Sequence, residues 1–291
     1  MRDTLKLIAI LFVLILVQSC QKEIANTDTP GIPPVITPHD SVTVLSRFIF
    51  IDYRVSNTDT MGYNEILYDD LRRVATISLY DYGKTIPSSV VTFYYNGNDT
   101  LAYKKTDIDP DPLYGYSDTH FYFYDNLNRL IEDSTLHSPM QVEVSKYNYS
   151  PTMIAAMISY VDNADPLNPY EEIDTGFVNT HGDIFAATMH NNYQEFYVDT
   201  LEYDTKPNPF YPLNIRSTFN PLPGFDFFLE DYYLQKNNVT LIHEESPLSS
   251  GMSATTFTYT YNASGLPFSV DMAYSFDQTD DYRIIFVYKK I

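Results

Sequence analysis

The sequence predicts an all-β fold: an antiparallel meander of repeated hairpins, barrel-like or strongly curled, with about 14 to 18 strands. Three observations predict it. Short aromatic and β-branched runs recur along the chain, a Tyr-Asp/Asn signal returns at near-regular spacing, and helical periodicity is almost absent. Tyr is used 27 times and Phe 18 times with no Trp, a composition suited to pleated, half-buried surfaces.

The stretch HFYFYDNLNRL, residues 120–130, shows the unit. Side chains alternate along a strand, so Phe121 and Phe123 take one face and Tyr122 and Tyr124 the other. The Phe face is the more apolar and is expected to be the buried one. Asp125 and its polar successors favour a turn, because short side chains bond to nearby backbone and tolerate left-handed dihedrals. Leu130 and Ile131 then begin the returning strand.

Tyr68-Asp69 leads in the same way to Val74, and Tyr95-Asn96 to Leu101. Val178-Asn179 leads to Ile184, while Tyr149-Ser150 to Ile154 and Tyr261-Asn262 to Leu266 run one residue shorter. Positions 68, 95, 124, 149 and 178 are separated by 27, 29, 25 and 29 residues. One such interval holds two strands and two connections. Tyr203-Asp204 and Tyr233 fall near further repeat positions, with flanks that match poorly.

Segments 47–55, 90–95, 256–261 and 283–291 read as strands on the same grounds. The one helical pattern is near 225–236 (FDFFLEDYYLQK), where Phe228, Tyr232 and Gln235 would share a face.

The N-terminus has a different character. Arg2 and Lys6 precede the apolar run Leu7 to Val17, which is too short for a spanning helix and fits a signal peptide. Val17-Gln18-Ser19-Cys20 resembles the lipobox of bacterial lipoproteins, and that resemblance makes Cys20 the lipidated residue. Cys20 is also the sole cysteine, so the chain has no internal disulfide and no cysteine-based zinc site. Residues 1–19 read as signal, 20–40 as a Pro-containing tether without periodicity, and 41–291 as the all-β domain. Removing residues 1–19 takes away Arg2, Lys6 and Asp3 and moves the formal charge from −20 to −21. That charge repels phosphate backbones and excludes nucleic-acid binding as the function class. Membrane attachment is then the work of acyl chains.

The motifs YDNLNRL and YNASGL resemble the YD-type repeats of bacterial surface proteins. Together with DTKPNPFYPL (204–213) and QKNNVTLI (235–242), they resemble a Bacteroidetes outer-membrane lipoprotein family of unknown function with a porin-like β fold. The resemblance spans roughly residues 45–291. It implies many antiparallel strands, curled or closed, at the outer membrane, and brings no known catalytic residues to carry over.

Few residues suggest chemistry. Asp107, Asp109, Asp111 and Asp118 lie in one acidic stretch with the spacing of a calcium loop, yet Pro112 occupies the position where an EF-hand needs Gly. A solvated acidic loop is the competing reading. The six histidines show no HxH or HExxH spacing, SSGMSA lacks the second Gly of a nucleophile elbow, and no P-loop or GxGxxG is present. No catalytic residue and no cofactor are therefore expected. The expected function is a non-enzymatic, lipid-anchored envelope lipoprotein with a binding or interaction role, its partner a glycan or an envelope protein. A glycan-processing enzyme, using carboxylate pairs such as this acidic chain could supply, and a purely structural envelope component are the alternatives.

Overall fold

The computed structural model describes residues 41–52, 60–110, 115–137, 141–160, 169–192, 196–215, 235–245, 252–275 and 282–291. Cys20, Asp111, Tyr233 and most of the helix expected near 225–236 lie outside them. The last two residues of that stretch, Gln235 and Lys236, are not helical.

Sixteen strands follow in order: β1 (Thr43–Asp52), β2 (Thr60–Tyr68), β3 (Val74–Asp81), β4 (Ser89–Tyr94), β5 (Lys104–Ile108), β6 (Ser117–Tyr124), β7 (Leu130–His137) and β8 (Gln141–Ser150). They continue with β9 (Met153–Tyr160), β10 (Tyr170–Val178), β11 (Ile184–Asn191), β12 (Phe196–Pro207), β13 (Asn237–Glu245), β14 (Met252–Tyr261), β15 (Pro267–Tyr274) and β16 (Tyr282–Lys290). Every strand pairs antiparallel with its sequence neighbours, and β1 pairs with β16, so the meander closes into a barrel without free edges. Val42 and Ile291 exchange two backbone hydrogen bonds at this seam. Among the described residues the helical content is one 3-10 turn, Tyr211–Leu213.

Connections alternate between the two ends of a meander. The even-to-odd turns, the start of β1 and the end of β16 share one end, here the turn rim; the odd-to-even connections make the loop rim.

The repeated signal is a repeated turn. Asp69 Oδ1 accepts from the Leu71 and Arg73 amides, Asp125 Oδ1 from Leu127 and Arg129, Asn179 Oδ1 from His181 and Asp183, and Asn262 Oδ1 from Ser264 and Leu266. The residue three positions after each has positive φ: Arg72, Asn128, Gly182 and Gly265. A register shift precedes each turn, so that Tyr68 faces Val74, Tyr124 faces Leu130, Val178 faces Ile184 and Tyr261 faces Pro267. The hairpin after Tyr261 thus has the full six-residue offset, and its returning strand starts at Pro267, not Leu266. Leu101 does not start a strand; the connection continues to β5 at Lys104.

The tyrosine has its own task. Tyr68 donates its hydroxyl to the Leu45 carbonyl, Tyr95 to Val74, Tyr124 to Ala102, Tyr149 to Leu130, Tyr203 to Ile184 and Tyr288 to Pro267. Each bond ties a strand end to a carbonyl about twenty residues upstream, at the same rim. Tyr203 is therefore a full member of the series despite its poor flanks. Arg73 lies 4.2 Å from the centre of the Tyr95 ring and Arg129 4.7 Å from that of Tyr149, so the arginine of one turn covers the tyrosine of a later hairpin.

These bonds decide which face points inward, and it is not the Phe face. Tyr122 is 6% exposed, whereas Phe121 and Phe123 are 40% and 49% exposed. Tyr124 packs its ring inside the barrel and still reaches the Ala102 carbonyl, while phenylalanine needs no acceptor and can stand on the outer wall.

Candidate functional site: the polar lumen

Near the turn rim the lumen is packed. Ile66, Val74, Leu130, Ile184 and Val239 are fully or almost fully buried there. The segment after β12 adds to this packing: Phe210 meets Phe48 and Phe286 edge-on, with centroids 5.3 and 5.8 Å away. Asn214 Nδ2 donates to the Thr100 carbonyl, in the connection between β4 and β5. In strand order, β4 and β5 lie opposite the β12–β13 connection, so residues 208–215 extend across the turn-rim mouth.

Toward the loop rim the lumen wall from β5 to β14 is polar. The alternation that buries Tyr122 and Tyr124 also turns His120 and Asp118 inward, and their cross-strand partners follow the same face. His120 Nδ1 lies 3.1 Å from the fully buried Asp133 carboxylate and 2.8 Å from Thr135 Oγ1. His137 stands between two acids, with Nδ1 3.0 Å from Asp118 and Nε2 3.7 Å from Glu143. Burial pushes the Glu143 carboxyl above its usual range, with Asp133 adding to the shift and His137 opposing it. Lys105, 3% exposed, faces His120 across the β5–β6 ladder.

The polar wall continues on β10 to β14. Tyr170 donates its hydroxyl to Glu172 and stacks on Tyr160, with centroids 4.7 Å apart. Asp174 and Asn191 are each 1% exposed on the same face. Asp199 sits directly opposite Glu244, which accepts from Ser253 Oγ at 2.5 Å. Burial, then the Glu244 charge, pushes the Asp199 carboxyl up to about 8, so it carries a proton at neutral pH.

Of the acidic stretch read as a possible calcium loop, Asp107, Asp109 and Asp118 are described and Asp111 is not. Asp107 and Asp118 face each other across β5 and β6. Asp107 is engaged by Ser89 and Tyr116, and Asp118 by His137. Asp109 caps the strand end through its amide to Tyr116 O. Among the described residues no group of three or more His, Cys, Asp or Glu side chains could hold a metal ion.

The sequence reading did not single out His120, Asp133, His137, Glu143, Asp199 or Glu244. In the polar run EDST, 132–135, the sequence does not say which side chains turn inward; in the barrel Asp133 and Thr135 do.

The fold defines the class, a closed sixteen-stranded antiparallel barrel. A porin-like protein of Bacteroides vulgatus is similar with a TM-score of 0.56 at 11% identity, over 85% of this chain and 99% of its own. A porin-like protein of Bacteroides uniformis is similar with a TM-score of 0.50 at 12% identity, over 84% and 96%. At this identity the likeness is one of fold. No protein-family model matches the chain, and no curated protein matches it in sequence.

Proposed function

We propose that this protein is a non-enzymatic, lipid-anchored envelope barrel that binds a hydroxyl-rich ligand of the glycan class in the loop-rim half of its lumen, with Cys20 as the lipidated residue. The polar wall carries this reading. Carboxylates and amides such as Asp118, Glu172 and Asn191 accept and donate hydrogen bonds with sugar hydroxyls, and the stacked Tyr160–Tyr170 pair offers an aromatic flank.

Two observations favour this over an open transmembrane pore. Residues 208–215 extend across the turn-rim mouth, where Phe210 packs against β1 and β16. The outer wall carries the ion pairs Arg47–Glu65 and Asp271–Arg283, at 2.9 and 2.6 Å, where a lipid-facing band excludes charge. A glycan-processing enzyme is the second reading, favoured by the protonated Asp199 beside Glu244.

The test is calorimetric titration of the full-length protein in detergent with a panel of oligosaccharides. Binding without turnover, weakened about tenfold by Glu172→Gln as expected for a lost charged hydrogen bond, supports the proposal. Product release that Asp199→Asn abolishes favours the enzyme. No binding, together with ion conductance in planar bilayers, favours the pore. Metabolic incorporation of labelled fatty acid, lost in Cys20→Ala, tests the anchor separately.

A further inference from the structure

The polar wall of the lumen falls into two sectors of different charge balance. On β5 to β8 each inward histidine stands beside acids, His120 at Asp133 and His137 between Asp118 and Glu143, and Lys105 turns inward with them. On β10 to β14 Glu172, Asp174, Asp199 and Glu244 turn inward, and among the described residues of these strands no lysine, arginine or histidine joins them. His190 pairs with the exposed Ile173 and His243 with the exposed Thr200, which puts both on the outer face, and Lys206 is exposed at the turn rim.

Within the second sector Asp199 is 3% exposed and lies directly opposite Glu244. Ser253 Oγ donates to Glu244, whereas the Asp199 carboxyl meets no hydrogen-bond donor among the described residues. Its neighbours on the inner face are apolar, with Ala187 opposite it on β11 and Leu201 the next inward residue along β12. A buried carboxyl without a donor is costly, and here a second carboxylate faces it. The protein alone meets that cost by keeping Asp199 protonated, since burial and the Glu244 charge push its carboxyl up to about 8.

The chemistry of a matching ligand group follows from what the pair lacks. A hydroxyl has one proton to donate and brings no countercharge. A primary ammonium has three N–H donors and a positive charge, so it can bond Asp199 and Glu244 together through charge-assisted contacts. A divalent metal asks for more ligands than two carboxylates, and among the described residues no third His, Cys, Asp or Glu completes such a set. We infer that the buried Asp199, unpartnered and opposite Glu244, forms with it a subsite for a primary ammonium, so that the ligand of the lumen is an amine-bearing glycan. The inference deepens the glycan reading above and rests on it for the rest of the ligand.

The surroundings favour the same charge. The ionisable groups on the inner faces packed around Asp199 are Glu244 on β13 and, one strand beyond β11, Glu172 and Asp174 on β10. β11 itself offers Ala187, Met189 and Asn191, and β14 offers Ser253 and Thr255. With the ammonium seated, Asp199 becomes a carboxylate and its proton passes to the solvent; no covalent bond of the ligand changes.

The test uses the full-length protein in detergent and matched pairs of probes, each an oligosaccharide alditol and its terminal aminoalditol. The two differ by a hydroxyl and an alkylammonium that is charged at pH 7, as a lysine side chain is. Calorimetric titration of each pair in two buffers of different ionisation enthalpy gives affinity and proton release together. The aminoalditol should bind about tenfold or more tightly than its alditol, with release of about one proton at pH 7. Asp199→Asn and Glu244→Gln should each erase that advantage, and Asp199→Asn should also erase the proton release, with thermal melts showing that both variants are folded.

Equal affinity within every pair would overturn the ammonium subsite and leave the glycan reading standing. If no oligosaccharide binds in either form, yet a linear diamine such as putrescine binds and is weakened by Asp199→Asn, the glycan reading falls and the subsite remains. Failure of the diamine as well removes both. Cleavage of the sugar chain that Asp199→Asn abolishes would make Asp199 a proton donor to the substrate, and would overturn the subsite in favour of the enzyme.

Discussion

Toward the turn rim, tyrosine hydroxyls close on backbone carbonyls, side-chain carboxylates and amides satisfy turn amides, and the space between is filled with Ile, Val, Leu and Phe. Toward the loop rim, the same alternation of strands turns His120, His137, Glu143, Glu172 and Asp199 inward, and their partners are other ionisable side chains. One half is organised by bonds to backbone, which do not depend on pH near neutrality. The other is organised by ionisable side chains, among them Asp199, whose carboxyl burial pushes up to about 8. The difference teaches that a single hairpin plan can supply a rigid base and a titratable wall at its two ends.

The largest expected effect tests which face turns inward. Tyr122→Ala should cost about 3–5 kcal/mol, as the loss of a buried aromatic ring, whereas Phe123→Ala, one position along and 49% exposed, should cost less than about 1 kcal/mol. Urea denaturation measures both; equal losses would mean that the wall's two faces are not distinct.

A smaller effect sharpens the contrast in pH response. In the folded barrel Asp199 holds its proton up to about pH 8, against an ordinary value of 3.8. The folded state therefore binds the proton more tightly between those limits, and stability is fullest below the ordinary range and falls as pH rises toward 8. Asn imitates the protonated acid. Asp199→Asn should stabilise by roughly 2–4 kcal/mol at pH 8 and by almost nothing at pH 4, read from thermal melts across that range. Stabilisation of the same size at both ends would show that burial alone, without titration, governs the site.

The smallest effect belongs to the turn-rim half. Tyr124→Phe removes the hydroxyl bond to the Ala102 carbonyl and should cost about 0.5–1.5 kcal/mol, unchanged between pH 5 and pH 8. A pH-dependent loss would tie this tyrosine to the polar wall instead.

The hairpins and their number were legible in the sequence because turns are local. Asp69, Asp125, Asn179 and Asn262 act on amides two and four residues away, and any reader of the chain meets all the partners at once. Closure and facing were not, because they depend on residues far apart. Nothing near Thr43 announces Lys290. The inward choice of Tyr over Phe at 121–124 follows from a carbonyl at Ala102, and hydrophobicity alone pointed the other way. The polar lumen was hidden for the same reason, since Asp199 and Glu244 meet only once β12 and β13 pair across a long connection.

The tyrosine bond has a consequence for the width of the ring. Each lock joins a hairpin to its upstream neighbour and to nothing else, so a hairpin carries most of what it needs to be added or removed as a module. Circumference then becomes a matter of counting: a tandem duplication of one repeat adds two strands and widens the bore, and a deletion narrows it, while the local chemistry of every surviving joint stays the same. What must be readjusted is the seam between the first and last strands and the fit of Phe210 in the mouth, the two places where the ring is not locally made.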